Sequence, residues 1–191
     1  MNFYMLLLQE RDLEKARRNC YSYQRVFFNT FFASKLMNNN ENSYENVRKW
    51  TNNIELLDMH EIFIPHNVNG SHWILFVINL PDNQISVLDS YHRGADYKHI
   101  AKALLVWLQE DVRNKYRSNQ SFSTNEWKIE LCTCIPKQLN GVDCGVFVLM
   151  YADFLSDDLP LEFNQGHMPY FRRKILDNLL QGNLFYKYLV N

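Results

Sequence analysis

Four cysteines, at positions 20, 132, 134 and 144, are too few and too unevenly placed to staple a chain of 191 residues. Cys132 and Cys134 stand two apart and are expected on one face of a strand, where they cannot bridge each other. No second pair of Cys or His follows at the spacing a structural zinc requires, so no metal is expected. Thiols used this way belong in a reducing compartment, the cytosol or the nucleus. An excess of charge is missing too. With 20 basic against 21 acidic residues, nothing calls for nucleic acid or a membrane surface as partner. Long apolar runs are absent: Met1 to Leu8 lacks a basic flank and soon meets Glu10 and Arg11, so it reads as neither signal peptide nor span. Internal repeats and linkers are absent as well, which predicts one domain over 1–191.

What is present is a core. Hydrophobic residues make up 47% and aromatics 15%, enough for a folded domain and too much for a disordered one. Met1 to Leu13 reads as a helix with Phe3, Leu6, Leu7 and Leu8 inward, and Arg25 to Leu36 carries Phe27, Phe28, Phe31 and Phe32, mostly as core. A polar loop is expected from Asn38 to Ser43, then a short helix from Tyr44 to Trp50. Strands are expected at Glu61–Pro65, Trp73–Leu80, Ile85–Leu88 and Trp127–Cys132, the middle two joined by the turn Pro81-Asp82-Asn83-Gln84. Asp96 to Tyr116 is the longest helical pattern, burying Ile100, Leu104, Trp107, Leu108 and Val112, and Ser118 to Asn125 reads as a polar loop. Gly145 to Leu155, apolar nearly all round, reads as a central buried helix; Pro169 to Leu180 starts with Pro and stops at Gly182. The charge runs Arg11 to Arg18 and Arg172-Arg173-Lys174 read as solvated helix faces. The class is α+β, a mixed, mostly antiparallel sheet flanked by helices.

Several residues carry chemistry. Cys144 stands between the turn-forming Asn140-Gly141 and the buried helix, and a helix amino end favours a thiolate over a thiol. Of six histidines, His72 alone sits where a loop meets a strand; His60, His66, His92, His99 and His167 have polar or helical surroundings. Asp89 closes the hairpin that His72 opens, so its carboxylate can orient the imidazole. Gln138 could swing an amide N–H toward a developing oxyanion beside the Cys144 backbone N–H. Nucleophile, base, orienter and oxyanion donor are the parts of a cysteine protease. Each residue also has a plainer reading: Cys144 as a small buried side chain, Asp89-Ser90 as the start of a turn, Gln138 as a solvated loop residue.

His72-Trp73, then Leu88-Asp89-Ser90, then Gln138-Leu139-Asn140-Gly141-Val142-Asp143-Cys144-Gly145 resembles the ubiquitin-like-protein-specific cysteine proteases, the Ulp or sentrin-specific protease family. The order His, Asp, Cys differs from papain, where the cysteine comes first. Asn2-Phe3-Tyr4-Met5, Trp50-Thr51, Tyr151-Ala152-Asp153 and His167-Met168-Pro169 look like the SUMO-processing branch rather than the NEDD8-directed one. The resemblance implies a papain-like fold with the nucleophile at the head of a buried helix, no cofactor, and a monomer. It implies hydrolysis after the Gly-Gly terminus of a SUMO precursor or a SUMO–lysine isopeptide, with the nucleus favoured. Carried over by motif, His72 is the base, Asp89 its orienter, Cys144 the nucleophile, Gln138 an oxyanion donor and Trp73 the roof of a narrow tunnel. An indole roof admits only residues lacking Cβ. Phe27, Lys49 and Trp50 match positions that face the modifier, while Phe27 and Trp50 also read as core. The family's Trp-Leu-Asn-Asp segment has no counterpart ahead of Asn2, which fits either a sequence cut short or a natural short form with weakened substrate grip. A SUMO-binding module of impaired activity and a protease for another modifier such as NEDD8 are the alternatives.

Overall fold

The computed structural model describes residues 1–18, 24–38, 44–91, 97–116 and 122–184. Cys20, His92, Asp96, most of the expected loop at 38–43 and half of that at 118–125 lie outside the described residues. The chain runs α1 (Asn2–Arg17), β1 (Arg25–Phe27), α2 (Phe31–Leu36), β2 (Glu61–Val68), β3 (His72–Asn79), β4 (Gln84–Leu88), α3 (Tyr97–Lys115), β5 (Lys128–Leu131), α4 (Cys144–Ser156) and α5 (Met168–Gln181).

The five strands lie in the order of the sequence. β2, β3 and β4 form an antiparallel centre, and β1 and β5 add to its two sides in parallel. The outer strands have three and four residues, and β5 exposes Lys128 and Glu130. β3 is apolar on both faces and therefore central. Ile74, Phe76 and Ile78 point into one core with α2 and α3, where Phe32 and Trp107 meet edge to face at 4.8 Å. Leu75 and Val77 point into the other, against Phe147 and Tyr151 of α4 and Tyr4 of α1. The sheet thus separates two cores. Among the described residues no helix is long and apolar enough to cross a membrane.

α3, α4 and α5 form where their periodicity predicts, and Gly182 ends α5 in the left-handed conformation at φ 67°. Four expectations need correcting. Leu7 and Leu8 face inward as expected, but Phe3 and Leu6 are 50% and 55% exposed, and α1 turns Tyr4 and Met5 inward in their place. The reason is polar: α1 is keyed to α4 through Tyr4 Oη, which donates to Asp153 Oδ2 at 2.7 Å, and through Arg11, which reaches Asp153 at 2.5 Å. The run from Arg11 to Arg18 is accordingly only in part a solvated face: Glu14, Arg17 and Arg18 are exposed, while Arg11 and Lys15 are buried against Asp153 and Asp157. Arg25 is buried as well, shared among Asp12, Glu61 and Asp158. Phe31 begins α2 and stays exposed because a strand and a turn interrupt the aromatic stripe.

Finally, the helix expected at Tyr44–Trp50 is a turn followed by a 3-10 segment at Arg48–Thr51. Contacts from α3 override propagation there. Thr51 Oγ1 donates to buried Asp111 at 2.6 Å, and Lys115 Nζ donates to the carbonyls of Thr51 and Ile54.

Candidate active site

His72 opens β3 directly opposite Val68, across a three-residue turn in which Asn69 and Gly70 take φ of 52° and 71°. Such angles suit Asn and Gly and let the turn close tightly, with Ser71 N–H donating to Val68 O. The imidazole is thus fixed at the end of the central strand. At the far end of the hairpin, Asn83 at φ 51° and an Asn79 side chain that accepts Asp82 N–H set the register that pairs Leu88 with Leu75. Asp89 follows at once, diagonal to His72. His72 Nε2 and Asp89 Oδ1 are 2.7 Å apart, and Tyr91 N–H also donates to that oxygen. This occupies Nε2 and leaves Nδ1 as the nitrogen able to exchange a proton with another group.

Cys144 is the first residue of α4 and 6% exposed. Ahead of it the side chain of Asn140 accepts the N–H groups of Val142 and Asp143, an Asx turn that brings the chain sharply into the helix. Asp143 O then accepts the first helical bonds, from Val146 and Phe147. Gly145 has a packing reason: a Cβ there would sit 3.4 Å from Trp73 Cδ1 and 3.5 Å from Met1 Cε. The indole therefore lies alongside the first turn of α4, at a distance where a Cβ on Gly145 would just reach ordinary van der Waals contact with it.

Trp73 and Cys144 line one cleft of about 630 Å³, together with Asn67, Ser71 and Arg172. Ser71 and Trp73 flank His72 in the chain, so the hairpin end and the helix end meet at this cleft. A second link runs behind it. Ser90, next to Asp89, donates its hydroxyl to Gln138 Oε1 at 2.6 Å, and Ser90 O accepts Gln138 N–H. Gln138 Nε2 donates to Asn140 O at 2.5 Å. The glutamine is 6% exposed and clamped at both ends of its amide, so it is neither a solvated loop residue nor free to swing. One amide hydrogen serves Asn140; the other makes no bond to the described residues, and Gln138 does not itself line the cleft. Tyr151 of α4 steadies the same loop by donating to Pro136 O.

The remaining expected residues lie elsewhere. Phe27 is 6% exposed, its ring stacked on Phe63 at 4.7 Å, which is core packing. Lys49 is exposed, and Trp50 is half-buried edge-on to Phe32. None of the three lines the cleft. Cys134 falls in the loop after β5 rather than on a strand, exposed, with Cys132 partly buried; both are free thiols.

Residues that the sequence did not single out also serve the site. Asn67 pairs with Trp73 across the ladder, lines the cleft, and has a buried Oδ1 without a partner. A polar residue inside an apolar strand was the available signal. Asp143 is a hub: Arg172 Nε donates to its Oδ1 at 3.0 Å, and Asn140 and Gln165 donate to its Oδ2 at 2.7 Å each. Burial works to raise the Asp143 pKa, but the bonds from Asn140, Arg172 and Gln165 outweigh it and hold the carboxyl below its ordinary range. Arg172 is consequently more than part of a solvated charge run.

An α+β domain with a thiol at the head of a buried helix and an imidazole–carboxylate pair on the neighbouring hairpin has the make-up of a thiol hydrolase. Comparison with known proteins narrows this. Residues 1–181 match the Ulp1 protease family, C-terminal catalytic domain. The chain is 39% identical over 188 residues to ubiquitin-like-specific protease 1A of Arabidopsis thaliana, covering 95% of this chain and 36% of that protein. Against human sentrin-specific protease 2 it is 36% identical over 186 residues, covering 96% of this chain and 29% of the relative. Among solved structures, the Ulp1 protease domain in complex with Smt3, the yeast orthologue of SUMO, superposes with a TM-score of 0.72 at 29% identity, over 95% of this chain and 74% of that one. This chain belongs to the Ulp1 protease family. It spans about a third of the length of these two curated relatives.

Proposed function

We propose that this domain is a thiol protease and isopeptidase that cleaves after the Gly-Gly terminus of SUMO, in precursors and in conjugates to lysine. The observation that carries the reading is the indole of Trp73 lying against Gly145, one residue from the thiol. In this reading the indole narrows the approach to the thiol and favours residues without a Cβ, which would select Gly-Gly by exclusion. Similarity to sentrin-specific protease 2 and to a SUMO-bound Ulp1 domain supports SUMO as the modifier.

In this mechanism His72 Nδ1 takes the Cys144 proton while Asp89 holds Nε2–H and stabilises the imidazolium. The thiolate attacks the carbonyl carbon of the terminal glycine. The oxyanion so formed accepts hydrogen bonds from the Cys144 N–H and the unused amide hydrogen of Gln138. Collapse breaks the C–N bond, and the imidazolium gives its proton to the departing amine. Water, deprotonated by His72, then hydrolyses the thioester and returns the thiol. The modifier would rest outside the cleft, where Lys49 and the open edge of Trp50 are available to it; Phe27 serves the core. A reducing compartment such as the nucleus suits the free thiol, and the domain acts as a monomer.

The test is covalent capture. SUMO carrying a C-terminal electrophile should label Cys144 in a one-to-one adduct, and Cys144→Ser should abolish it. A folded preparation that gives no adduct, or that reacts with an equivalent NEDD8 probe and not with SUMO, overturns the assignment.

A further inference from the structure

The residue before a helix commonly caps it, and aspartate is among the best at doing so. Asp143 holds that position on α4, yet its side chain makes no capping bond. Its backbone, at φ −98° and ψ 0°, lies near the helical region rather than the extended one that aims a side chain back over the first turn. The carboxylate is turned outward to Arg172 of α5, to Gln165 and to Asn140, with Arg172 also donating to Val142 O at 3.2 Å. Gln165 closes the loop further by accepting Leu139 N–H at 2.8 Å.

This arrangement resolves a conflict. A carboxylate on the residue preceding a thiol opposes thiolate formation, and one bonded to the helix end would occupy the amides an oxyanion needs. Arg172 removes both objections, because it neutralises the charge and holds it away. We propose that Asp143 and Arg172 are positioning residues that keep the amino end of α4 uncapped and electrically open for the Cys144 thiolate and the oxyanion. The inference rests on the thiol chemistry proposed above. The other titratable groups around this helix end are His72 and Asp89 on the hairpin and the Met1 end of α1; none of them bonds Asp143.

The experiment follows iodoacetamide alkylation of each cysteine by mass spectrometry across pH, using the whole chain. Arg172→Ala should slow Cys144 roughly three- to tenfold at neutral pH by leaving the neighbouring carboxylate uncompensated. Arg172→Lys should recover most of that loss, because a point charge still neutralises. The decisive variant is Arg172→Ala with Asp143→Asn, in which a second removal restores the rate to within about twofold of wild type. Asp143→Asn alone, which removes the carboxylate charge and keeps the Arg172 cation, should alkylate faster than wild type, a readout that survives if Arg172→Ala folds poorly. On substrate, Arg172→Ala should lower kcat with KM nearly unchanged. Wild-type reactivity in Arg172→Ala, or a double variant no better than the single, overturns the proposal. Failure of the thiol-protease reading looks different: wild-type Cys144 would then alkylate no faster than exposed Cys134, and the inference would fall with it.

Discussion

On one side of the sheet, Phe32, Leu104 and Trp107 meet the isoleucines of β2 and β3, and the buried charge on that side is Asp111 at its margin. On the other, the same strands meet α4, which with its neighbours brings Arg11, Asp12, Arg25 and Asp153 into the interior and sets Asp143 behind the thiol. The first side is held by shape and by removal of apolar surface from water, which is non-directional. The second is held by charge-assisted bonds with fixed partners, which dictate angles. Chemistry that needs a sulfur, a ring and an amide in fixed relation belongs on the second side.

Four expected outcomes test that division. Cys144→Ala or His72→Ala should each remove about a thousandfold or more of turnover, since nucleophile and base act as a unit, while leaving the denaturant midpoint nearly unchanged. Trp107→Ala should do the reverse. It should cost about 3–5 kcal/mol of stability by denaturant unfolding and leave kcat of the folded fraction intact. A fall in kcat with unchanged stability would mean that the two sides are mechanically coupled.

Arg11→Ala should cost about 3 kcal/mol, because Asp153 loses its closest cation in the interior; a change under about 1 kcal/mol would mean that water reaches the site. The smallest effect concerns pH. Burial, then the Asp111 charge, raises the Tyr44 pKa to about 12, from an ordinary value of 10.0. The folded state therefore keeps its phenol proton while the unfolded chain loses it. This contribution is whole below pH 10 and disappears as pH climbs toward 12. Tyr44→Phe should flatten the alkaline limb of the stability profile between those values, and an unaltered limb would assign it to other groups.

The same division explains what the sequence disclosed. α3 was legible because Ile100, Leu104, Trp107, Leu108 and Val112 recur at helical spacing and all are buried. α4 was legible because it is apolar nearly all round, and the central hairpin because its turn residues interrupt two apolar runs. The inner face of α1 was not. Arg11, Asp12 and Lys15 look like solvent residues until Asp153, Arg25 and Asp157, all distant in the chain, are known to face them. His72, Asp89 and Cys144 stood out through residue type and position, and the His72–Asp89 bond follows from hairpin register. The clamp on Gln138 and the pairing of Asp143 with Arg172 could not be read, since their partners come from 48 and 29 residues away in the chain.

The short strands at the two margins of the sheet have a consequence for handling the domain at high concentration. Three residues at one rim and four at the other, the latter showing Lys128 and Glu130 to solvent, present little ladder for a neighbouring molecule to extend. Growth by strand addition, the common route from a native sheet to fibrils, is thereby blunted at both rims, and at β1 side chains of α1 already take the outward backbone groups: Asp12 accepts Arg25 N–H, and Gln9 accepts Phe27 N–H and donates to Arg25 O.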